Sequence, residues 1–339
     1  MGVKFAPRAD PDKSFAPSQT GVVFGISYNS VDWTWSIPQE KLQRLILMLR
    51  QIIESDEISA TQAKSLAGKL IHIKPLIPAG KYNINFIMAL DGEANRAVRK
   101  TQSIKVSGEC KRQVFFWLSM LKTCSGYVSI PNWPVKAQAW ALDAYCDAAG
   151  GSLEGVGRGT GGVLRDWWFY IPWPKRVAAG GWMIDGLKVG RKMSALELVG
   201  PLVFMAAGQQ VLAGKHVTIW VDNAGSVAIW NKGYSNSCRL STAIVTAISA
   251  IAAATGCTVH IRKILRCSNT GAVLADQLSK ARFKEFRDTA SDANWPLRTE
   301  PAKIPVTLLA WIDKPVPDMD LADKILRELA KSQRILGIN

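Results

Sequence analysis

Four acidic residues in the second half of the chain are spaced as a cation site would need. Asp147 closes the run QAWALDAYCDA, just before Ala-Ala-Gly-Gly. Glu197 lies in SALELVGPL, Asp222 ends the apolar run HVTIWV, and Asp276 lies in GAVLADQLSK. Gathered in one place, such carboxylates repel one another and take up protons. Divalent cations remove that penalty, and hard carboxylate oxygens suit Mg2+ or Mn2+. Two such ions about 3.5–4 Å apart stabilise both the attacking and the leaving oxygen of a phosphodiester in displacement. This chemistry needs no histidine nucleophile, and the chain has only His72, His216 and His260.

Each acid also has a local explanation. Asp147 can be a turn residue ahead of Gly150, and Asp143, on the same strand face, is its rival for the first position. Glu197 can close a capping box with Ser194. Asp222 or Asn223 can cap the helix that begins at Ala224. Asp276 can pair with Lys280 one helical turn on. Their joint order on a strand, a helix, a strand and a helix is what favours a shared site.

The elements that must position them can be read from periodicity. QAWALDAYCDA alternates as a strand, with Trp140, Leu142, Ala144 and Cys146 on one face and Asp143, Tyr145 and Asp147 on the other. GTGGVLRDWWFYIPW continues as strand, and its aromatic residues read as core. SALELVGPLVFMAAGQQVLAG reads as a helix with a kink at Gly200-Pro201. HVTIWV is a short buried strand. NAGSVAIWNKG and LSTAIVTAISAIAAATG are helices, CTVHIRKIL is a strand, and GAVLADQLSKARFKEF is a helix. This alternation predicts a mixed α/β sheet covered by helices.

Upstream, GVVFGISY (21–28) and DWTWSI (32–37) read as strands. SIPQEKLQRLILMLRQIIES carries a helix-start signature at Ser36 with Gln39, and Pro38 in the first turn. Ser59 with Gln62 starts a second helix, whose stripe is Ala63, Leu66, Ala67 and Leu70. A third helix reads from Glu109 to Cys124, with Val114, Trp117, Leu118 and Leu121 inward. The prolines of IPNWPVKA (130–137) mark a linker. A last helix runs from about Asp320 to Leu336.

With 339 residues, 48% of them hydrophobic, the chain can bury a sizeable core and two domains are expected. A net charge of +15 favours a polyanionic partner, most often nucleic acid. The six cysteines form no CxxC pair and no zinc spacing, which fits free thiols in a reducing compartment. The amino end has no apolar h-region, so an intracellular protein, cytoplasmic or nuclear, is expected. Ala243–Val259 is too short and too weakly hydrophobic to span a membrane.

The second half resembles the ribonuclease H domain of retroelement polymerase polyproteins. The likeness is carried by AYCDAAGG with GTGGVL, SALELVGPL, IWVDNAGSVAIWNKGYS and ILRCSNTGAVLADQLSK. It implies a ribonuclease H-like mixed sheet flanked by helices, with Asp147, Glu197, Asp222 and Asp276 holding two Mg2+ (or Mn2+) ions and cutting the RNA strand of an RNA–DNA hybrid. Many members of that family place a histidine in the loop before the last carboxylate. Here the loop reads LRCSNTG, which leaves Arg266 or Asn269 to stand in, or turnover to be slower.

The first half resembles the end of the palm, the thumb and the connection of a retroelement reverse transcriptase, on VVFGISYNSVDWTWSIPQEKLQRLI, ATQAKSLAGKLIHI, PLIPAGKYNINFI and ECKRQVFFWLSMLK. The implied organisation is a mainly helical thumb and connection region over residues 1–130, the ribonuclease H-like domain over 131–290, and a linker and helix over 291–339. No Y-x-D-D motif occurs. Polymerisation is therefore not expected from this chain alone, and the upstream fingers and palm are expected to be missing from it. Asn223, Ser226, Lys232 and Arg239 are expected to contact the hybrid backbone, helped by thumb cations such as Lys41, Arg44, Arg50, Lys64 and Lys69. The alternative reading is a catalytically silent nucleic-acid-binding remnant.

Overall fold

The computed structural model describes residues 18–32, 34–77, 80–123, 128–129, 141–150, 158–174, 183–184, 187–188, 193–265, 269–313 and 320–335. The linker expected at 130–137, Trp140 and Arg266 lie outside them. By backbone contacts the chain divides into two units, Met1–Gly80 with Phe86–Val135, and Lys81–Asn85 with Lys136–Asn339.

In the first unit β1 (Thr20–Val23) and β2 (Ile26–Asn29) form an antiparallel hairpin. The single strand expected over 21–28 is therefore two. Phe24 and Gly25 turn the chain with left-handed φ values of 50° and 74°, the backbone that a two-residue hairpin of right-handed twist requires. β3 (Thr34–Ser36) adds to β2, and α1 (Gln39–Glu54) follows. Ser36 ends the strand and does not cap the helix; Pro38 holds the N-cap position without a side-chain bond. That corrects the start expected at Ser36.

β4 (Glu57–Ser59) leads into α2 (Ala60–Ile73), where Ser59 and Gln62 form the expected capping box. Leu42, Leu45, Leu49 and Ile52 of α1 and the four stripe residues of α2 are buried. α3 (Asn85–Arg96), β5 (Ser103–Lys105), α4 (Gly108–Thr123) and β6 (Val128–Ser129) complete the unit. β4 pairs with β5, β6 pairs with β3, and α4 packs on α1.

The second unit is built on a five-stranded sheet. β7 (Ala141–Ala148), β8 (Gly159–Leu164) and β9 (Trp167–Pro172) form an antiparallel meander, turning at Arg165 with φ 53°. A two-residue pair, β10 (Met183–Ile184) and β11 (Leu187–Lys188), precedes α5 (Met193–Ala207). α5 runs through Pro201 and stops at Gly208, and a separate turn of helix, α6 (Gln209–Leu212), follows. β12 (His216–Val221), α7 (Ala224–Lys232), α8 (Arg239–Thr255) and β13 (Thr258–Lys263) come next.

β12 lies parallel to both β7 and β13, and the strand order is β13-β12-β7-β8-β9. The helix expected over 271–286 is two, α9 (Thr270–Ser279) and α10 (Phe283–Asp292), separated by Ala281 at φ 55°. There the Arg282 N–H donates back to the Gln277 carbonyl, and the Ala281 N–H to that of Leu278, which closes the helix in a left-handed turn. α11 (Val306–Asp313) and α12 (Leu321–Ile335) end the described chain, and α12 packs on α8.

Successive side chains of a strand point to opposite faces, and helices cover both. Cys146 meets α5, while its neighbour Tyr145 meets α9. The result is a mixed α/β sheet flanked by helices. Residues 81–85 join this unit because Tyr82 stacks on Trp230 at 4.5 Å and its carbonyl accepts from the Thr246 hydroxyl at 3.1 Å. Among the described residues no helix is long and apolar enough to cross a membrane.

Candidate metal centre

The parallel pairing of β7 and β12 sets the first two acids side by side. Trp220 is in register with Tyr145. Continued by two residues, that register sets Asp222, just past β12, opposite Asp147, and neighbouring strands lie about 4.8 Å apart. α5 brings the third acid. Gly200 packs so closely on β7 that an added methyl would lie 2.8 Å from both Cβ and Sγ of Cys146. Glu197, one turn earlier on α5, is thereby carried to the strand end.

Asp147, Glu197 and Asp222 each offer an oxygen, and these atoms all lie within 4.8 Å of one another. Asp147 is 5% exposed and Glu197 3%, while Asp222 is half-buried. The field of the cluster is felt at Cys146. Burial pushes its thiol well above the usual range, and Glu197, Asp147 and Asp222 push it further.

Two serines tie the supporting elements together. The Ser194 hydroxyl of α5 donates to Asn223 Oδ1 at 3.2 Å, and the Ser226 hydroxyl of α7 donates to the Ser194 carbonyl at 3.0 Å. Asn223 caps α7, accepting from the Ser226 N–H at 3.0 Å. Trp173 donates its indole N–H to the Ala149 carbonyl at 2.8 Å, two residues past Asp147.

The structure thus brings together three of the four acids. Asp276 is outside that group among the described residues; the Lys280 ammonium binds both its oxygens, at 2.7 and 2.8 Å. Asp143, the rival for the first position, is exposed and accepts the Trp220 indole N–H at 2.8 Å. Glu197 is buried inside α5, so the capping-box alternative with Ser194 does not describe it.

Ser226 is a correction. Its side chain is fully buried and bonded to α5, so it cannot meet a polynucleotide backbone. Asn223 spends its side-chain oxygen on the cap and on Ser194. Lys232 and Arg239 are exposed, with the Lys232 ammonium 4.5 Å from the centre of the Tyr234 ring. Asn269, a candidate stand-in for the loop histidine, caps α9 by accepting from the Gly271 N–H at 2.7 Å.

Sequence reasoning missed Ser194, Thr160 and Ser279. Only Ser194 had a local signal, as the first residue of the S-x-x-E pattern. The Thr160 hydroxyl donates to the Asp147 carbonyl at 3.2 Å, and the Ser279 hydroxyl lies 2.5 Å from Asp147 Oδ2.

Three hard oxygen donors, two of them buried, fit a divalent cation such as Mg2+ or Mn2+. With no cation to offset it, so much negative charge in so little space is unfavourable. The chain matches no protein-family model and no curated protein.

Proposed function

We propose that this chain is a metal-dependent nuclease of the ribonuclease H type, cleaving the RNA strand of RNA–DNA hybrids. The observation that carries the proposal is the convergence of Asp147, Glu197 and Asp222 at the end of two adjacent parallel strands. The strand order and the helices on both faces suit that fold, although a fold by itself does not fix a reaction. In this reading the three carboxylates hold two Mg2+ or Mn2+ ions, with Asp276 at the margin. When bound, the ions stabilise developing negative charge on the phosphodiester and make a nucleophile available from water near neutral pH.

The chain's own residues do the rest. Asp147 is held by a strand and a helix at once. Glu197 is fixed by the packing of α5 on β7, and Asp222 by the cap and serine bonds at the head of α7. A hybrid is recognised mainly by shape, through phosphates and 2′-hydroxyls. Exposed cations such as Lys232 and Arg239 can meet phosphates, and the net charge of +15 favours the approach of any nucleic acid. The first unit, in the same reading, is the palm end, thumb and connection of a retroelement reverse transcriptase, intracellular and without its polymerase motif.

The test is a labelled RNA–DNA hybrid incubated with the purified chain and Mg2+. Cutting confined to the RNA strand, abolished by EDTA and by Asp222→Asn, is the expected result. Binding that weakens steeply with salt but yields no cutting supports the silent remnant instead. Cutting undiminished by Asp222→Asn contradicts the site.

A further inference from the structure

We infer that Ser279 is a positioning residue for this centre: its buried hydroxyl orients the Asp147 carboxylate and registers the last turn of α9 against it. The inference rests on the metal-centre reading above. Gly161 sits directly opposite Asp147 in the β7–β8 ladder. A methyl at position 161 would lie 2.5 Å from Leu278 Cβ and 3.0 Å from the backbone nitrogen of Ser279. The absence of a side chain there lets the end of α9 settle onto the strand pair. That approach puts Ser279, fully buried, within reach of an acid 132 residues earlier in the chain.

The Ser279 oxygen lies 2.5 Å from Asp147 Oδ2 and 2.9 Å from the carbonyl oxygen of Asp276. A hydroxyl has one proton to give. A bond to its own helix carbonyl would satisfy it without involving the site. The shorter contact falls within the range of a charge-assisted O–H···O⁻ bond, about 2.5–2.7 Å, and a carboxylate is the stronger acceptor. Ser279 therefore donates to Asp147. One acid oxygen is engaged and the carboxyl plane is set. The Thr160 hydroxyl, bonded to the Asp147 carbonyl, holds the backbone of the same residue. Asp276 lies one turn before Ser279 on α9 and Lys280 caps the helix just after it, so the marginal acid is registered by the same turn.

The experiment is a calorimetric Mn2+ titration of the full chain and its variants, with a thermal melt of each in EDTA. Loss of an outer partner of a metal ligand typically costs about 10–100-fold in affinity. Ser279→Ala is expected to bind Mn2+ weaker by that factor, and Ser279→Thr, which keeps the hydroxyl, to regain most of it. Ser279→Cys keeps the size with only a weak donor; it is expected to behave like Ala, and stands in for it should Ala not fold. A purely structural serine would lower the melting temperature and leave Mn2+ affinity alone. Wild-type affinity in both Ala and Cys overturns the positioning role while the metal centre stands. A wild-type chain that binds no Mn2+ overturns both.

Discussion

Glu197 sits in the body of a helix that is buried along nearly its whole length. A carboxylate there is costly unless something compensates its charge. Oxygens of two more acids lie within 4.8 Å of its own, and in the metal-centre reading a cation balances the three. Asp276 is outside that group and is paired with Lys280. Glu197→Gln should weaken Mn2+ binding by about 100-fold or more, beyond the range for an outer partner. Asp276→Asn should cost no more than about tenfold, at the low end of that range; calorimetry on both variants checks this. His260 gives a second residue-level prediction. Burial lowers the pKa of its imidazole, and Arg262, His216 and Lys81 lower it further. The folded state thus resists protonation more than the unfolded chain does. Stability present above the ordinary value of 6.5 should fall as pH drops below it. Urea unfolding between pH 8 and pH 5 should show the decline, and His260→Gln should flatten it.

At the scale of elements, the head of α7 is where the site and the fold share a cost. Asn223 caps the helix and anchors α5 through Ser194. Asn223→Ala should remove about 0.5–2 kcal/mol, the usual value of an N-cap, measured by chemical denaturation. Much of this layer was legible in the sequence. Ser59 with Gln62 gave the start of α2, and Asp222 or Asn223 the start of α7, because a cap is made by residues a few positions apart; the structure selects Asn223. The strand ends of Asp147 and Asp222 were legible because alternation and apolar runs are local patterns. The rest depended on contacts between distant segments. Ser36 looked like Ser59, yet strand pairing claimed it. Phe24 and Ala281 adopt left-handed backbone that neither residue type announces. Ser226 looked like an exposed polar residue at a helix start, yet α5 covers it. Ser279 gave no sign of a partner 132 residues away.

For the molecule as a whole, charge sets the expectation. A chain of net charge +15 that grips phosphates should lose affinity linearly in log salt, by about 10³-fold or more between roughly 50 and 200 mM if six or more phosphates are contacted. Lys232→Ala and Arg239→Ala should each reduce that slope by about one; fluorescence anisotropy of a labelled hybrid measures it. Net charge was read from composition alone, whereas the convergence of the acids needed the sheet's topology. That convergence is the centre of the account, and anomalous diffraction from a crystal soaked in Mn2+ tests it most directly. The prediction is anomalous density between the carboxylates of Asp147, Glu197 and Asp222, absent from a Glu197→Gln crystal. A well-ordered crystal with those three side chains apart, or with Mn2+ bound only elsewhere, would contradict it.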